Sequence, residues 1–300
     1  MLVGAINLFL TKGQWYKGNL HTHTTNSDGR LSLEQIISSY KGRGYDFLGI
    51  TDHEKVTDID EHSTVNPLLI RGIEVVCGCS EIGELYHILG IGLKKMVELP
   101  DGVSAQKVIN MIRVQQGITI IAHPYWSGLT FGDVLPLKGI LGIEVFNASC
   151  HNGIGKGFSA VHWDDLLARG KNLYGFASDD THFQENIGQG WIMVKAKSLS
   201  VTDILSAIKK GQFYSTRGPI IRDIVFKDNI VAVRCSEAAV INFICDSSRG
   251  KSFHSEDGKL MTSASYDLLG QEGYLRIEVI DVNGKPAWSQ PLFYKGTRTV

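Results

Sequence analysis

The sequence predicts an α/β protein: a mostly parallel sheet closed into an irregular barrel, followed by a small antiparallel β-rich unit. Three observations carry this. Apolar strand-like runs alternate with helical stretches over roughly the first two-thirds of the chain, as in repeated strand–helix units. Histidines and acids stand where those runs end, which is the active-site face of parallel (β/α) barrels. After Gly218-Pro219 the helical periodicity disappears and short β-patterned segments take over.

Taken in order, Ser32 with Gln35 forms a capping-box pattern that opens a helix running to about Arg43, with Ile36, Ile37 and Tyr40 as its apolar stripe and Gly44 as its stop. The strand Tyr45–Thr51 follows, then strands at Leu68–Val76 and His87–Leu93, a helix over Ser104–Gln116 and, after the break at Gly117, the strand Ile118–Ala122. The alternation continues with a strand at Ile143–Asn147, a helix at Trp163–Ala168, strands at Leu173–Ser178 and Trp191–Ala196, and the amphipathic helix Val201–Lys210 behind Ser200 and Asp203. The tail reads as strands Ile220–Val233, Val240–Asp246, Ser263–Leu269 and Tyr274–Val282, with Asn283-Gly284 turning into Ala287–Tyr294. This divides the chain into residues 1–218, the barrel, and 219–300, a small β-sandwich whose role is structural or substrate-gating.

With 300 residues, 43% of them hydrophobic and 20% charged, the chain can bury a large core. A net charge of −1 without a long basic run argues against a partner such as long nucleic acid and leaves small anionic substrates open. The five cysteines lack CxxC pairing, so neither a disulfide framework nor a zinc knuckle is indicated. Gly4–Leu10 is a short apolar run without the basic start or cleavage pattern of a leader, and nothing else approaches the length of a membrane span. A cytoplasmic protein with no membrane partner is expected.

The informative residues are His21-Thr22-His23, Asp28, Thr51-Asp52-His53, Glu74, His87, Ala122-His123-Pro124 and Asp180-Thr181-His182. In extended backbone, side chains at i and i+2 leave from one face, so His21 with His23, and Asp180 with His182, can approach one ion. Imidazole and carboxylate donors without thiolate suit zinc, manganese or iron, and a carboxylate such as Glu74 can bridge two ions. A lone HxH pair is weak evidence. Repeated placement at strand ends is not.

On these motifs the chain resembles the PHP (polymerase and histidinol phosphatase) superfamily of metal-dependent phosphoesterases. The segment Gly211-Gln212-Phe213-Tyr214-Ser215-Thr216-Arg217-Gly218-Pro219 with the β-rich tail is similar to the branch that includes carbamate-hydrolase-like members. The resemblance implies a distorted (β/α)7 barrel holding two or three divalent metal ions. It implies that His21, His23, Glu74 and Asp180 hold one ion, that Glu74 bridges to a second shared with His87 and His123, and that Asp28, His53 and His182 hold a third. Many relatives carry histidine at the Asp28 position, a departure expected to weaken that third site or retune it toward harder ions. Asp52 is then an acid that orients a ligand rather than binding metal.

The expected function is hydrolysis of a small phosphomonoester, a nucleotide or sugar phosphate, with metal-bound hydroxide as nucleophile. No Gly-x-Ser-x-Gly elbow supports a serine alternative. Arg217 is the expected auxiliary phosphate contact, against the alternative of a loop or interface arginine. Tyr125 and Trp126 are placed to stack on a base or aromatic leaving group or simply to pack at the rim, and His151 is a weaker acid candidate. Carbamate or carboxylic ester hydrolysis is the competing enzyme reading, and a metal-containing accessory module the competing non-enzyme one. Because ligand histidines bind as neutral imidazoles, activity and metal affinity are expected to fall below about pH 6.

Overall fold

The structure, a computed structural model, describes residues 6–7, 12–62 and 66–293, without the side chains of residues 6, 7 and 62. The apolar run Gly4–Leu10, residues 6–7 apart, and Tyr294 lie outside the described residues. The elements run β1 Ile6–Asn7, β2 Gln14–Asn19, α1 Leu33–Lys41, β3 Phe47–Ile50, β4 Leu68–Cys77, β5 Tyr86–Ile91, α2 Ala105–Val114 and β6 Ile118–Ile121. Next come α3 Phe131–Val134, β7 Gly142–Asn147, α4 Ala148–Ile154, α5 Ala160–Ala168, β8 Tyr174–Ser178, β9 Trp191–Ala196, α6 Val201–Lys209 and β10 Phe213–Thr216. The tail contains β11 Ile221–Lys227, β12 Ile230–Ala238, β13 Val240–Cys245, β14 Gly250–His254, β15 Met261–Asp267, β16 Tyr274–Ile280, β17 Pro286–Ser289 and β18 Leu292–Phe293.

Local chemistry explains the main helices. Ser32 Oγ accepts from the Gln35 N–H while the Gln35 side chain accepts from the Ser32 N–H, which closes the capping box and lets α1 bury Ile36 and Tyr40. At α6 Ser200 caps by its side chain alone, accepting from the Asp203 N–H. Strand β7 is buried along its whole length, including Glu144, because α5 covers one face and the site lies on the other.

Strands β2, β3 and β4 pair in parallel, as do β6, β7 and β8, but β5 runs antiparallel to both β4 and β6. This departs from the expected parallel arrangement. The link between β4 and β5 holds no helix and turns at Gly78 and Gly83, both at positive φ, whereas a parallel pairing needs a long crossover. Beyond the ends of β2 and β8, Thr22 bridges Thr181 in parallel register, and His23 N–H donates to the Thr181 carbonyl at 3.0 Å. The chain segments that carry the histidine motifs therefore meet.

From β2 the same sheet continues through antiparallel β9, β10, β17, β16, β13 and β14 into the tail, so hydrogen bonding crosses the Gly218 region without a break. Two reversals bring the C-terminal end of β10, and with it Arg217, to the end of the sheet where β2 delivers His21. A second sheet, β1-β11-β12-β15, packs its apolar face against the first, enclosing Ile221, Val231, Val233, Phe243, Ile277 and Val279.

Several expectations need correction. Ile220–Val233 is not one strand, because Asp228 and Asn229 both adopt positive φ (51° and 64°) and turn β11 into β12 as a hairpin. His151 lies on helix α4, which Asn147 caps by accepting from the Cys150 N–H. The helix expected from Trp163 begins at Ala160, and Phe213–Thr216 is a strand.

Candidate metal centre

Glu74 is the hub. It projects from the middle of β4 and is 1% exposed. One carboxylate oxygen, Oε2, lies 3.0 Å from both His21 Nε2 and His23 Nε2 and 3.5 Å from His53 Nδ1. The other, Oε1, lies 3.0 Å from His87 Nδ1 and 3.2 Å from His123 Nε2. Asp180 Oδ1 completes the inner group at 3.1 Å from His21 and 3.2 Å from His23.

Asp28, His53 and His182 lie on the open side. Asp28 Oδ2 is 3.3 Å from His182 Nε2 and 3.8 Å from His53 Nε2, while Asp28 Oδ1 is 3.6 Å from His23 Nδ1. Asp28 is 55% exposed, against 0% for His23 and 6% for Asp180. The structure thus brings together every residue of the ligand set read from the sequence: His21, His23, Asp28, His53, Glu74, His87, His123, Asp180 and His182.

The donor set fits divalent cations. Ring nitrogens of His21 and His23 face each other at 3.1 Å with two carboxylates converging on the same point. Asp180 Oδ1 is shielded from solvent and faces the ring nitrogens of His21, His23 and His182, so its buried charge is balanced either by protons on those rings or by a cation among them. Backbone strain accompanies this geometry, since His123 and Asp180 are both at positive φ, 26° and 49°.

Without metal, protons do part of the balancing. Burial works to lower the His21 and His23 pKa values, but Asp180 and Glu74 overcome it, holding His21 well above its ordinary value and lifting His23 to about 9. The same contacts hold the Glu74 and Asp180 carboxyls low against burial. His53 is lowered, mainly by burial.

Residues that the sequence reading passed over orient these ligands. Glu144 accepts from His21 Nδ1 at 2.8 Å, from the His123 N–H at 2.9 Å and from Asn147 Nδ2 at 2.8 Å, and also pairs with Ser178 Oγ. That bond fixes the His21 tautomer so that Nε2 faces the cluster. Ser127 Oγ lies 3.0 Å from His123 Nδ1. A lone acid inside the apolar run Gly-Ile-Glu-Val-Phe was the legible sign of Glu144. Asp179, beside Asp180, accepts N–H bonds from Gly188, Gln189 and Gly190, and burial nevertheless raises it to about 6.

Asp52 belongs to none of the donor groups. It accepts from Thr24 N–H at 2.7 Å, Ser27 Oγ at 2.6 Å and Thr57 Oγ1 at 2.5 Å, and so shapes the loop between His23 and Asp28. Arg217 is half-buried at the same end of the sheet, its guanidinium 4.1 Å from the Phe146 ring centre and 5.4 Å from that of Phe158, with Nε donating to the Gln189 carbonyl at 3.4 Å. None of these described partners is a cluster residue. Trp126, 43% exposed, stands edge-on to His123 and His87 at 5.0 and 5.7 Å between ring centres. Among the described residues no helix is long and apolar enough to cross a membrane.

Comparison with known proteins agrees with this geometry. Residues 165–213 match the model of the PHP-associated family. An uncharacterized protein of Methanocaldococcus jannaschii is 31% identical over 150 residues, 46% of this chain and 85% of that protein. A phosphoribosyl 1,2-cyclic phosphate 1,2-diphosphodiesterase of Eggerthella lenta is 32% identical over 81 residues, 26% of this chain and only 31% of that enzyme. In fold, a two-domain protein of Bacteroides vulgatus containing a predicted PHP-like metal-dependent phosphoesterase superposes with a TM-score of 0.50 at 15% identity, over 93% of this chain and 96% of that one. The mixed α/β fold, the clustered His, Asp and Glu donors and these relatives agree: the chain belongs to the PHP superfamily.

Proposed function

We propose that this chain is a metal-dependent hydrolase of small phosphomonoesters, built on a distorted (β/α)7 barrel with a C-terminal β-sandwich. The observation that carries the reading is the convergence of His21, His23, Glu74 and Asp180 on one buried point, with His87 and His123 on the far oxygen of Glu74. Divalent ions held there supply activation of water and neutralisation of phosphate charge.

The chain's own residues do the rest. Glu74 keeps two groups of histidines at a common distance, and Glu144 and Ser127 hold His21 and His123 in one orientation. Asp28 is the open-side member of the donor set, 3.3 Å from His182. Trp126 walls one flank of the entrance and offers a face to a planar leaving group. Arg217, at the same end of the sheet and held by aromatic faces, is a cation suited to a phosphate oxygen. No long basic run is present in the sequence, which supports a short substrate over a polymer.

The test is a hydrolysis screen of purified protein with zinc, manganese or iron, pairing phosphate esters with carbamates and carboxylic esters, with Asp180→Ala and His123→Ala as controls. Phosphate release that needs metal and vanishes in both variants is the expected result. Turnover of carbamates or esters alone would replace this reading by the other hydrolase, and metal uptake without turnover of any substrate class would favour an accessory module.

A further inference from the structure

We propose that Asn147 is a positioning residue of the metal centre: it occupies one oxygen of Asp180 and so leaves the other as the single oxygen that Asp180 offers to an ion. The assignment rests on the metal-dependent reading and deepens it by naming what decides how Asp180 binds. Asn147 is fully buried at the end of β7, and its side-chain amide meets three partners. Its Oδ1 accepts from the Cys150 N–H at 2.9 Å, and its Nδ2 donates to Glu144 Oε2 at 2.8 Å and to Asp180 Oδ2 at 3.1 Å.

These partners dictate which way the amide points. One side meets an N–H, which an oxygen must accept, and the other meets two carboxylate oxygens, which the two hydrogens of an NH2 group serve. A flipped amide would set its oxygen against both carboxylates. The backbone leaves no slack either, since the Asn147 N–H donates to the Gly157 carbonyl at 2.9 Å and α4 begins at the next residue.

The consequence falls on Asp180. Its Oδ2 is held on Asn147, while its Oδ1 faces the ring nitrogens of His21, His23 and His182 at 3.1, 3.2 and 3.4 Å. Glu144 and Asp180 are two buried carboxylates served by one nitrogen, and without the amide they would face each other in the interior with no donor between them. With it, Glu144 stays turned to His21 Nδ1 and the His123 N–H and does not compete with Asp180 for the ion.

The competing explanation is that Asn147 serves only as the N-cap of α4. Serine caps a helix about as well as asparagine but carries no amide N–H. Asn147→Ser therefore separates the two roles, and Asn147→Thr does so if the serine variant does not fold. The test uses the full chain, stripped by a chelator and loaded with cobalt(II), read by visible absorption, with zinc affinity from chelator competition and far-UV circular dichroism to follow the fold. In the folded variant the freed Oδ2 can join Oδ1 on the ion, so the cobalt d–d bands should weaken and shift as the coordination number rises. The unheld carboxylate must also be ordered on binding, so zinc affinity should fall by about tenfold. A folded variant with the native cobalt spectrum and a zinc affinity within about twofold of native would overturn the proposal and leave Asn147 as a helix cap. Native protein that takes up neither metal would instead remove the metal-dependent reading itself, and the proposal with it.

Discussion

Glu144→Gln is the most discriminating single perturbation, because it changes no ligand and almost no volume. Glu144 is 1% exposed and is surrounded by donors: His21 Nδ1, the His123 N–H, Asn147 Nδ2 and Ser178 Oγ. A carboxylate accepts from all of them, whereas an amide turns one oxygen into a donor that must face another donor. Relief by rotation of the amide is closed, since both oxygens of Glu144 are in use. If His21 changes tautomer, its Nε2 carries the proton and points it at the ion. Outer partners of this kind are worth 10–100-fold in metal affinity, about 1.4–2.7 kcal/mol. The assay is zinc affinity by chelator competition, with far-UV circular dichroism to show that the fold is retained. A folded variant whose affinity stays within about twofold of native would refute the orientation argument.

The remaining predictions are briefer. Metal must displace protons from His21 and His23, so zinc binding near neutral pH should release protons and show an enthalpy that depends on the buffer's ionisation heat; a buffer-independent enthalpy would count against protonated ligands. The raised His23 pKa also gives a sign for the metal-free protein: its stabilisation is complete below about pH 6.5 and is lost as pH rises through about 9, so the metal-free Tm should decline across that window. This places the onset of proton competition above the pH 6 expected from unperturbed histidines. Trp126→Ala should raise KM for aryl phosphates about tenfold and leave small alkyl phosphates nearly unchanged, and an equal loss on both would assign Trp126 to packing. Arg276, 2% exposed, holds Asp164 of α5 through Nε and Nη2 at 2.6 Å each, joining β16 to α5. Arg276→Ala should cost about 3 kcal/mol in urea unfolding, and a change within error would show the pair to be dispensable.

What was legible in the sequence is what short-range chemistry controls. The Ser32–Gln35 capping box, the Gly117 break and the placement of His21, His53, His123 and Asp180 just past strand ends are local patterns that the structure contains, whereas Glu74 lies inside β4 and His87 at the start of β5. The Asp228-Asn229 turn was equally local and was passed over because the β-patterned segment Ile220–Val233 was read as one strand across it. Glu144 could be suspected as a lone acid in an apolar strand, but its role depends on His21 and Ser178, which are remote in sequence.

By itself the sequence determined the kinds of donor, their grouping at strand ends and the family they belong to, because residue identity and i, i+2 spacing act over a few ångströms of backbone. Only the tertiary structure decided that β5 runs antiparallel, that Glu74 faces histidines with both oxygens, and that Arg217 arrives at the same end of the sheet. Those facts depend on pairing between strands far apart in the chain, where the length of a connection and the burial of a whole sheet outweigh any local preference.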